Sequence, residues 1–299
     1  MNIVFMGTPD FSVPCLEALI SSGHSVKGVF CQPDKPKGRG YTLTPPPVKV
    51  CALQHDIPVY QPQTMKDGSA LEILKQISPE LIIVVAYGKI LPKEILDLPK
   101  YGCINIHASL LPKYRGAAPI QWCIVNGETK TGVTSMQMDV GLDTGDMLIS
   151  EEIEISDEMN AEQLHNALSS LGAKVLTDTI NALENNALKP VKQDDSLSNY
   201  APILTKSLSP IDWSLSAEEI HNKIRGLYPW PSATSKYKEK NIKILESKVV
   251  DSNGKPGEII ESNSRLVVSC GNGAIEIIKL QPEGKKSNAC CRLFTRKSD

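Results

Sequence analysis

The sequence contains no run of 18 apolar residues, so no membrane-spanning helix is expected. It also lacks a basic segment leading into an apolar stretch at its start. Instead Asn2-Ile-Val-Phe-Met6 reads directly as a strand, which leads to the expectation of a cytoplasmic protein. The eight cysteines (15, 31, 51, 103, 123, 270, 290, 291) include no C-x-x-C pair and are expected to be reduced thiols. Five histidines form no H-x-x-x-H, and Asp139, Asp143 and Asp146 lack the spacing of an EF-hand, so no metal is expected. The turn after the first strand, Gly7-Thr-Pro-Asp-Phe11, is not G-x-G-x-x-G, which argues against a nicotinamide dinucleotide.

What is present is ordinary globular material: 299 residues, 41% apolar and 22% charged, enough for two domains. Short apolar runs alternate with helical periodicity. Strands are expected near 2–6, 26–31, 81–87 and 103–107, and helices near 12–22 and 117–127. This pattern predicts an α/β fold with a Rossmann-like, open, mostly parallel sheet. Leu164, Leu168, Leu171, Val175, Leu176, Ile180 and Leu183 continue as one long amphipathic helix that closes a first domain, residues 1–188. A polar stretch with Pro190 and Pro202 reads as a linker, 189–206. Residues 207–299 then hold a short helix announced by the capping box Ser216-Ala-Glu-Glu219, followed by strands near 242–245, 257–260, 265–269 and 274–279. Gly271-Asn-Gly273 is a hairpin turn, and a small OB-like β-barrel is the expected second domain.

The net charge of −2 conceals a division. Residues 1–199 carry 16 Lys/Arg against 23 Asp/Glu, and residues 200–299 carry 16 against 11. A basic appendage on an acidic body suits an acidic partner, nucleic acid above all, although scattered solvated lysines would give the same count. Between Gln32 and Pro47 lie five prolines and a cationic trio, Lys35, Lys37 and Arg39, on a loop with almost nothing to bury. Such a loop is either a phosphate-reaching arm or simply solvated.

Asn105 and His107 lie two apart in Cys103-Ile-Asn-Ile-His107, so on a strand they share one face. With five His and fifteen Asn in the chain, chance supplies such a pair in roughly one sequence in four, so its position decides its weight. Pro112 and Gly116 break the strand, which puts the pair at a strand's carboxyl end, where open α/β sheets hold ligands. A third polar group follows in Asp139-Val-Gly-Leu-Asp143-Thr-Gly145-Asp146. Together an amide, an imidazole and a carboxylate suit acyl transfer to an amine. Asn105 would donate to the developing oxyanion, protonated His107 would add charge, and Asp143 would orient the ring. No Ser or Cys nucleophile is needed, because the amine attacks directly. Taken singly, the histidine could merely satisfy a neighbouring carbonyl and the acidic turn merely solvate a loop.

Asn105-x-His107 followed by Ser109-Leu-Leu-Pro112 and later Asp143 resembles the signature of the 10-formyltetrahydrofolate-dependent formyltransferases. Further stretches, among them Gly7-Thr-Pro-Asp-Phe11, Ala86-Tyr-Gly-Lys-Ile-Leu-Pro92, Arg115-Gly-Ala-Ala-Pro-Ile-Gln121, Pro229-Trp-Pro231 and Leu280-Gln-Pro-Glu-Gly-Lys-Lys286, are similar to the members that formylate methionine on initiator tRNA. The resemblance implies that Asn105, His107 and Asp143 are catalytic and that Ser109, Leu110, Leu111 and Pro112 lie against the folate of 10-formyltetrahydrofolate. It implies that Lys35, Lys37, Arg39 and Lys206 contact initiator methionyl-tRNA, with the barrel gripping the stem, in a protein expected to be a monomer. The tail Ser287–Asp299 departs from the family's pattern and receives no role. Within the family the rival is an enzyme acting on a small amine, such as glycinamide ribonucleotide or an amino sugar nucleotide. Outside it, a non-catalytic RNA-binding protein would explain the charge division but not the trio.

Overall fold

A computed structural model describes residues 1–37, 42–238, 240–284 and 288–289; Arg39 and nearly all of the tail lie outside the described residues, as does the Lys37 side chain. The chain divides into two compact units. The first comprises 1–116, 132–153 and 165–200, and the second 117–131, 154–164 and 201–299. The units therefore interleave in sequence, where the sequence reading placed single boundaries at 188 and 207.

The first unit is built on a seven-stranded sheet in the order Met147–Glu154, Lys130–Gln137, Cys103–His107, Leu81–Val85, Asn2–Gly7, Ser25–Phe30, Val59–Tyr60. Pairings from Val59–Tyr60 through Cys103–His107 are parallel, and Lys130–Gln137 joins antiparallel. The chain starts in the middle of the sheet, winds outward to one side and then crosses to the other. This creates a switch point between Asn2–Gly7 and Leu81–Val85, as expected for a Rossmann-like sheet. The inner strands are apolar on both faces because helices cover both: Leu81–Val85 is buried at every position. Val4, Met6, Ile82, Val84 and Cys103 pack with Leu74 and Ile95 of the flanking helices on one face.

The expected strand 81–87 stops at Val85 because Ala86 adopts φ 46° and turns the chain. The helix expected at 117–127 runs Pro119–Val125, with Pro119 at its first position and Gly127 beyond its end at φ 74°. The long helix is Ala161–Glu184. Within the proline-rich 32–47 segment, Lys35–Lys37 and Thr42–Thr44 pair as two short antiparallel strands where a bare loop is expected from the sequence. The prolines end it by starting the helix Pro47–Gln54, which the sequence reading missed.

The second unit contains an antiparallel sheet, Ala233–Tyr237, Lys240–Val250, Ala274–Pro282, Leu266–Ser269 and Ile259–Glu261 in spatial order. Register shifts around Glu246 mark a bulge, the device by which a long strand bends and a sheet curls. Its concave apolar residues Ile244, Leu266, Val268, Ile275 and Ile277 receive Ala217, Ile220 and Ile224 of the helix Ala217–Gly226. That helix starts with the expected capping box between Ser216 and Glu219. The strand Ala233–Tyr237 went unread because Pro229-Trp-Pro231 precedes it and its outer residues are polar.

Candidate active site

Cys103–His107 alternates faces as its pleat requires. Ile106 faces the long helix, with its Cγ2 3.4 Å from where a side chain on Gly172 would begin. Cys103, Asn105 and His107 point the other way. Cys103 lies in the core, and the two polar residues follow where the strand passes beyond it. Asn105 is half-buried, and among the described residues no hydrogen bond reaches its side-chain amide.

His107 is 6% exposed and held from both sides. Its Nε2 donates to the Tyr114 carbonyl at 2.9 Å, and its Nδ1 lies 3.7 Å from Asp143 Oδ2. A carbonyl can only accept, so Nε2 carries a proton and Nδ1 is the nitrogen presented to the carboxylate. The bland role of a strand-end histidine, satisfying a carbonyl, is thus filled by one nitrogen alone.

The turn that brings Tyr114 back is stapled from within. Ser109 Oγ donates to the Lys113 carbonyl at 2.6 Å, Thr134 Oγ1 donates to the Ser109 carbonyl at 2.8 Å, and Leu111 N–H donates to Thr134 Oγ1 at 3.2 Å. Tyr114 itself adopts φ 59°, and its N–H donates to Asn199 Oδ1. Ser109 and Leu111 are buried by these contacts, whereas Leu110 and Pro112 keep accessible surface. Of the four expected folate contacts, the hydroxyl of Ser109 is therefore committed inside the turn.

Asp143 sits on the loop after Lys130–Gln137 at φ 53°. The loop is folded by Asp139, whose carboxylate accepts from Gly141 N–H at 3.0 Å and Thr144 Oγ1 at 2.7 Å. Gly145 is required sterically, since a Cβ there would lie 1.7 Å from the Gln137 carbonyl oxygen. Asp143 Oδ2 accepts the Gly116 N–H at 2.8 Å. Its carbonyl and that of Gly145 accept both amide hydrogens of Gln193, at 2.8 and 2.7 Å. Gln193 Oε1 in turn accepts from Arg115 Nε and Nη2 at 3.0 and 2.8 Å. Sequence reasoning missed Gln193 and Asn199, which lie in a polar stretch with no periodicity to mark them.

The strand-end loops leave apolar side chains in solvent: Ile90 is 75% exposed, Val140 75% and Leu142 55%. At the switch point, Thr8 Oγ1 and Gln32 Nε2 both donate to the Tyr87 carbonyl, at 3.0 and 3.2 Å. Lys35 is exposed on the hairpin in the first unit, and Lys206 is exposed on a short 3-10 turn in the second. Among the described residues no group of three or more His, Cys, Asp or Glu is arranged to hold a metal.

Burial pushes the thiols up, Cys103 and Cys15 to about 12 and Cys31 and Cys123 to about 11. These buried cysteines therefore offer no thiolate nucleophile near neutral pH.

The sequence matches the formyl transferase family over residues 1–180 and the formyl transferase C-terminal domain over 203–296. A methionyl-tRNA formyltransferase of Alkaliphilus oremlandii is 54% identical over 289 residues, covering 96% of this chain and 93% of its own length. Among solved structures, an N-formyltransferase of Helicobacter canadensis in complex with folinic acid and dTDP-3-aminofucose has a TM-score of 0.74 at 21% identity, over 94% of this chain and 99% of its own. A methionyl-tRNA formyltransferase from Clostridium thermocellum has a TM-score of 0.57 at 21% identity, over 84% of this chain and 94% of its own. The structural matches establish the fold. With both domains matched and a relative sharing half its residues across nearly the whole length, the chain belongs to the formyl transferase family.

Proposed function

We infer that this protein transfers the formyl group of 10-formyltetrahydrofolate to the α-amine of methionine carried on initiator tRNA. What carries this reading over a small-amine acceptor is the 54% identity to a methionyl-tRNA formyltransferase along both parts of the chain, the basic C-terminal part included.

The site has groups suited to the donor. Exposed Ile90, Val140 and Leu142 and accessible Leu110 and Pro112 offer apolar surface to a ring system, and the Asn105 amide has no hydrogen-bond partner among the described residues. The bound donor supplies an activated formyl carbon with an amine nitrogen as leaving group. Asn105 donates a hydrogen bond to the formyl oxygen as negative charge develops there. His107, on the same strand face, adds positive charge when protonated, and Asp143 fixes its ring. The methionine amine forms the new C–N bond as the bond to the folate nitrogen breaks, and the proton lost by the amine matches the one gained by the leaving nitrogen. Asp143 Oδ1 has no hydrogen-bond partner among the described residues, and in this reading it receives that proton in transit. A free α-amino group titrates at about 7.7–8.0, so neutral nucleophile is present near neutral pH.

Lys35 and Lys37 of the hairpin, Arg39, and Lys206 with the basic second domain, are assigned to the tRNA. Ser109, Leu110, Leu111 and Pro112 are assigned to the folate side, with Leu110 and Pro112 making contact and Ser109 shaping the turn. The protein acts in this reading as a cytoplasmic monomer. The test presents labelled 10-formyltetrahydrofolate with charged initiator tRNA, glycinamide ribonucleotide and an amino sugar nucleotide together. Label is expected in the aminoacyl-tRNA; label in either small amine instead would overturn the assignment.

A further inference from the structure

We propose that Gln193 is a positioning residue for formyl transfer, acting through Asp143; this rests on the proposed site. Gln193 is 6% exposed, and its side chain is fully engaged with neighbours that converge on the catalytic loop. Its two amide hydrogens go to the carbonyls of Asp143 and Gly145, so it grips the backbone on either side of Thr144. Its oxygen takes two hydrogen bonds from Arg115, whose Nη2 also reaches Asp195 Oδ1 at 2.8 Å. Arg115 immediately precedes Gly116, the residue whose N–H holds the Asp143 carboxylate.

Asp143 is thus clamped at two points, its carboxylate by the backbone of Gly116 and its carbonyl by Gln193, and both clamps meet at the Arg115-Gly116 dipeptide. The residue needs the clamps because φ 53° is a conformation a non-glycine residue rarely holds alone. The grip also fixes the 3.7 Å separation between Asp143 and His107, a distance at which a small shift of the loop either makes or loses the contact. The segment around Gln193 is anchored to the sheet's edge strand by reciprocal hydrogen bonds between Met147 and Val191, at 2.9 and 2.8 Å, so the grip comes from an ordered strap.

The discriminating variant is Gln193→Glu. It keeps the shape and the Arg115 contact but turns an oxygen against the two carbonyls that the amide hydrogens satisfied. Hydrogen–deuterium exchange on the unliganded protein is expected to rise within 139–146 while the Ser25–Phe30 strand stays protected. The kcat for formyl transfer is expected to fall by up to about 100-fold, the scale of a small misplacement of a reacting group. In a double-mutant cycle, Gln193→Ala is expected to cost little further once Asp143 is already Ala, because the two act as one unit. Unchanged exchange in 139–146, or losses that multiply in full in the double variant, would overturn the inference. If the wild-type protein forms no formyl product, the functional reading fails, while the exchange result still judges the clamp.

Discussion

Asp143 stands 3.7 Å from His107 Nδ1 with the same carboxylate oxygen that accepts the Gly116 N–H at 2.8 Å. One backbone donor thereby fixes where the acid faces the ring. Replacing Asp143 by Asn keeps an oxygen for Gly116 but removes the negative charge facing Nδ1 and the proton acceptor proposed at the second oxygen. The kcat of Asp143→Asn is expected to fall by about 10²-fold or more, the range of a lost acid–base group, with thermal stability close to wild type. Steady-state kinetics alongside a melting curve check this, and a large loss of stability with kcat retained in the folded fraction would refute it.

Gly145→Ala tests the loop by steric means. A methyl group 1.7 Å from the Gln137 carbonyl oxygen forces the backbone to move, at a cost of about 1–3 kcal/mol. Urea unfolding should show that loss together with a drop in kcat, since Asp143 moves with the loop. Wild-type activity in this variant would mean the loop geometry is unimportant.

The buried thiols set an alkaline limit on stability. Burial raises Cys103 and Cys15 to about 12 from 9.0, so between those values the unfolded chain releases protons that the folded one keeps. Their contribution is whole below about 9 and is lost as pH rises from there toward 12. Thermal midpoints are expected to decline above pH 9. In a Cys290→Ser, Cys291→Ser background a thiol reagent at pH 8 should react only after denaturant is added. Rapid labelling of the native protein would contradict the burial.

Ser216 caps the helix that fills the second unit's sheet, exchanging hydrogen bonds with Glu219. Ser216→Ala is expected to cost about 1 kcal/mol, read by denaturant titration, and no change would show that the cap is idle.

The cationic residues assigned to tRNA predict a salt signature. Arg39→Ala or Lys206→Ala should raise KM for charged tRNA, lower the slope of log affinity against log salt by about 1, and leave folate affinity alone. An equal loss of folate affinity would reassign either residue.

Residues with strong local rules were legible in the sequence. The alternation of Cys103–His107 put Asn105 and His107 on one face, the seven apolar positions of Ala161–Glu184 marked a long helix, and Ser216 with Glu219 announced the next. What escaped lacked such a rule. Gln193 and Asn199 act through one amide each, in a stretch without periodicity, and their partners are set by tertiary folding. The helix Pro47–Gln54 was hidden by the prolines that start it. The interleaving of the two units could not be read because Ala117–Thr131 and Glu154–Leu164 lie inside the first domain's sequence yet group with the second unit.

The proposed chemistry turns on the amide of Asn105, which has no hydrogen-bond partner among the described residues. The most direct measurement is single-turnover formyl transfer by Asn105→Ala, saturated with 10-formyltetrahydrofolate and charged initiator tRNA, beside a binding titration with the same tRNA. Loss of one oxyanion donor predicts a rate lower by about 10²–10³-fold at unchanged tRNA affinity, whereas a near-wild-type rate would contradict the assignment.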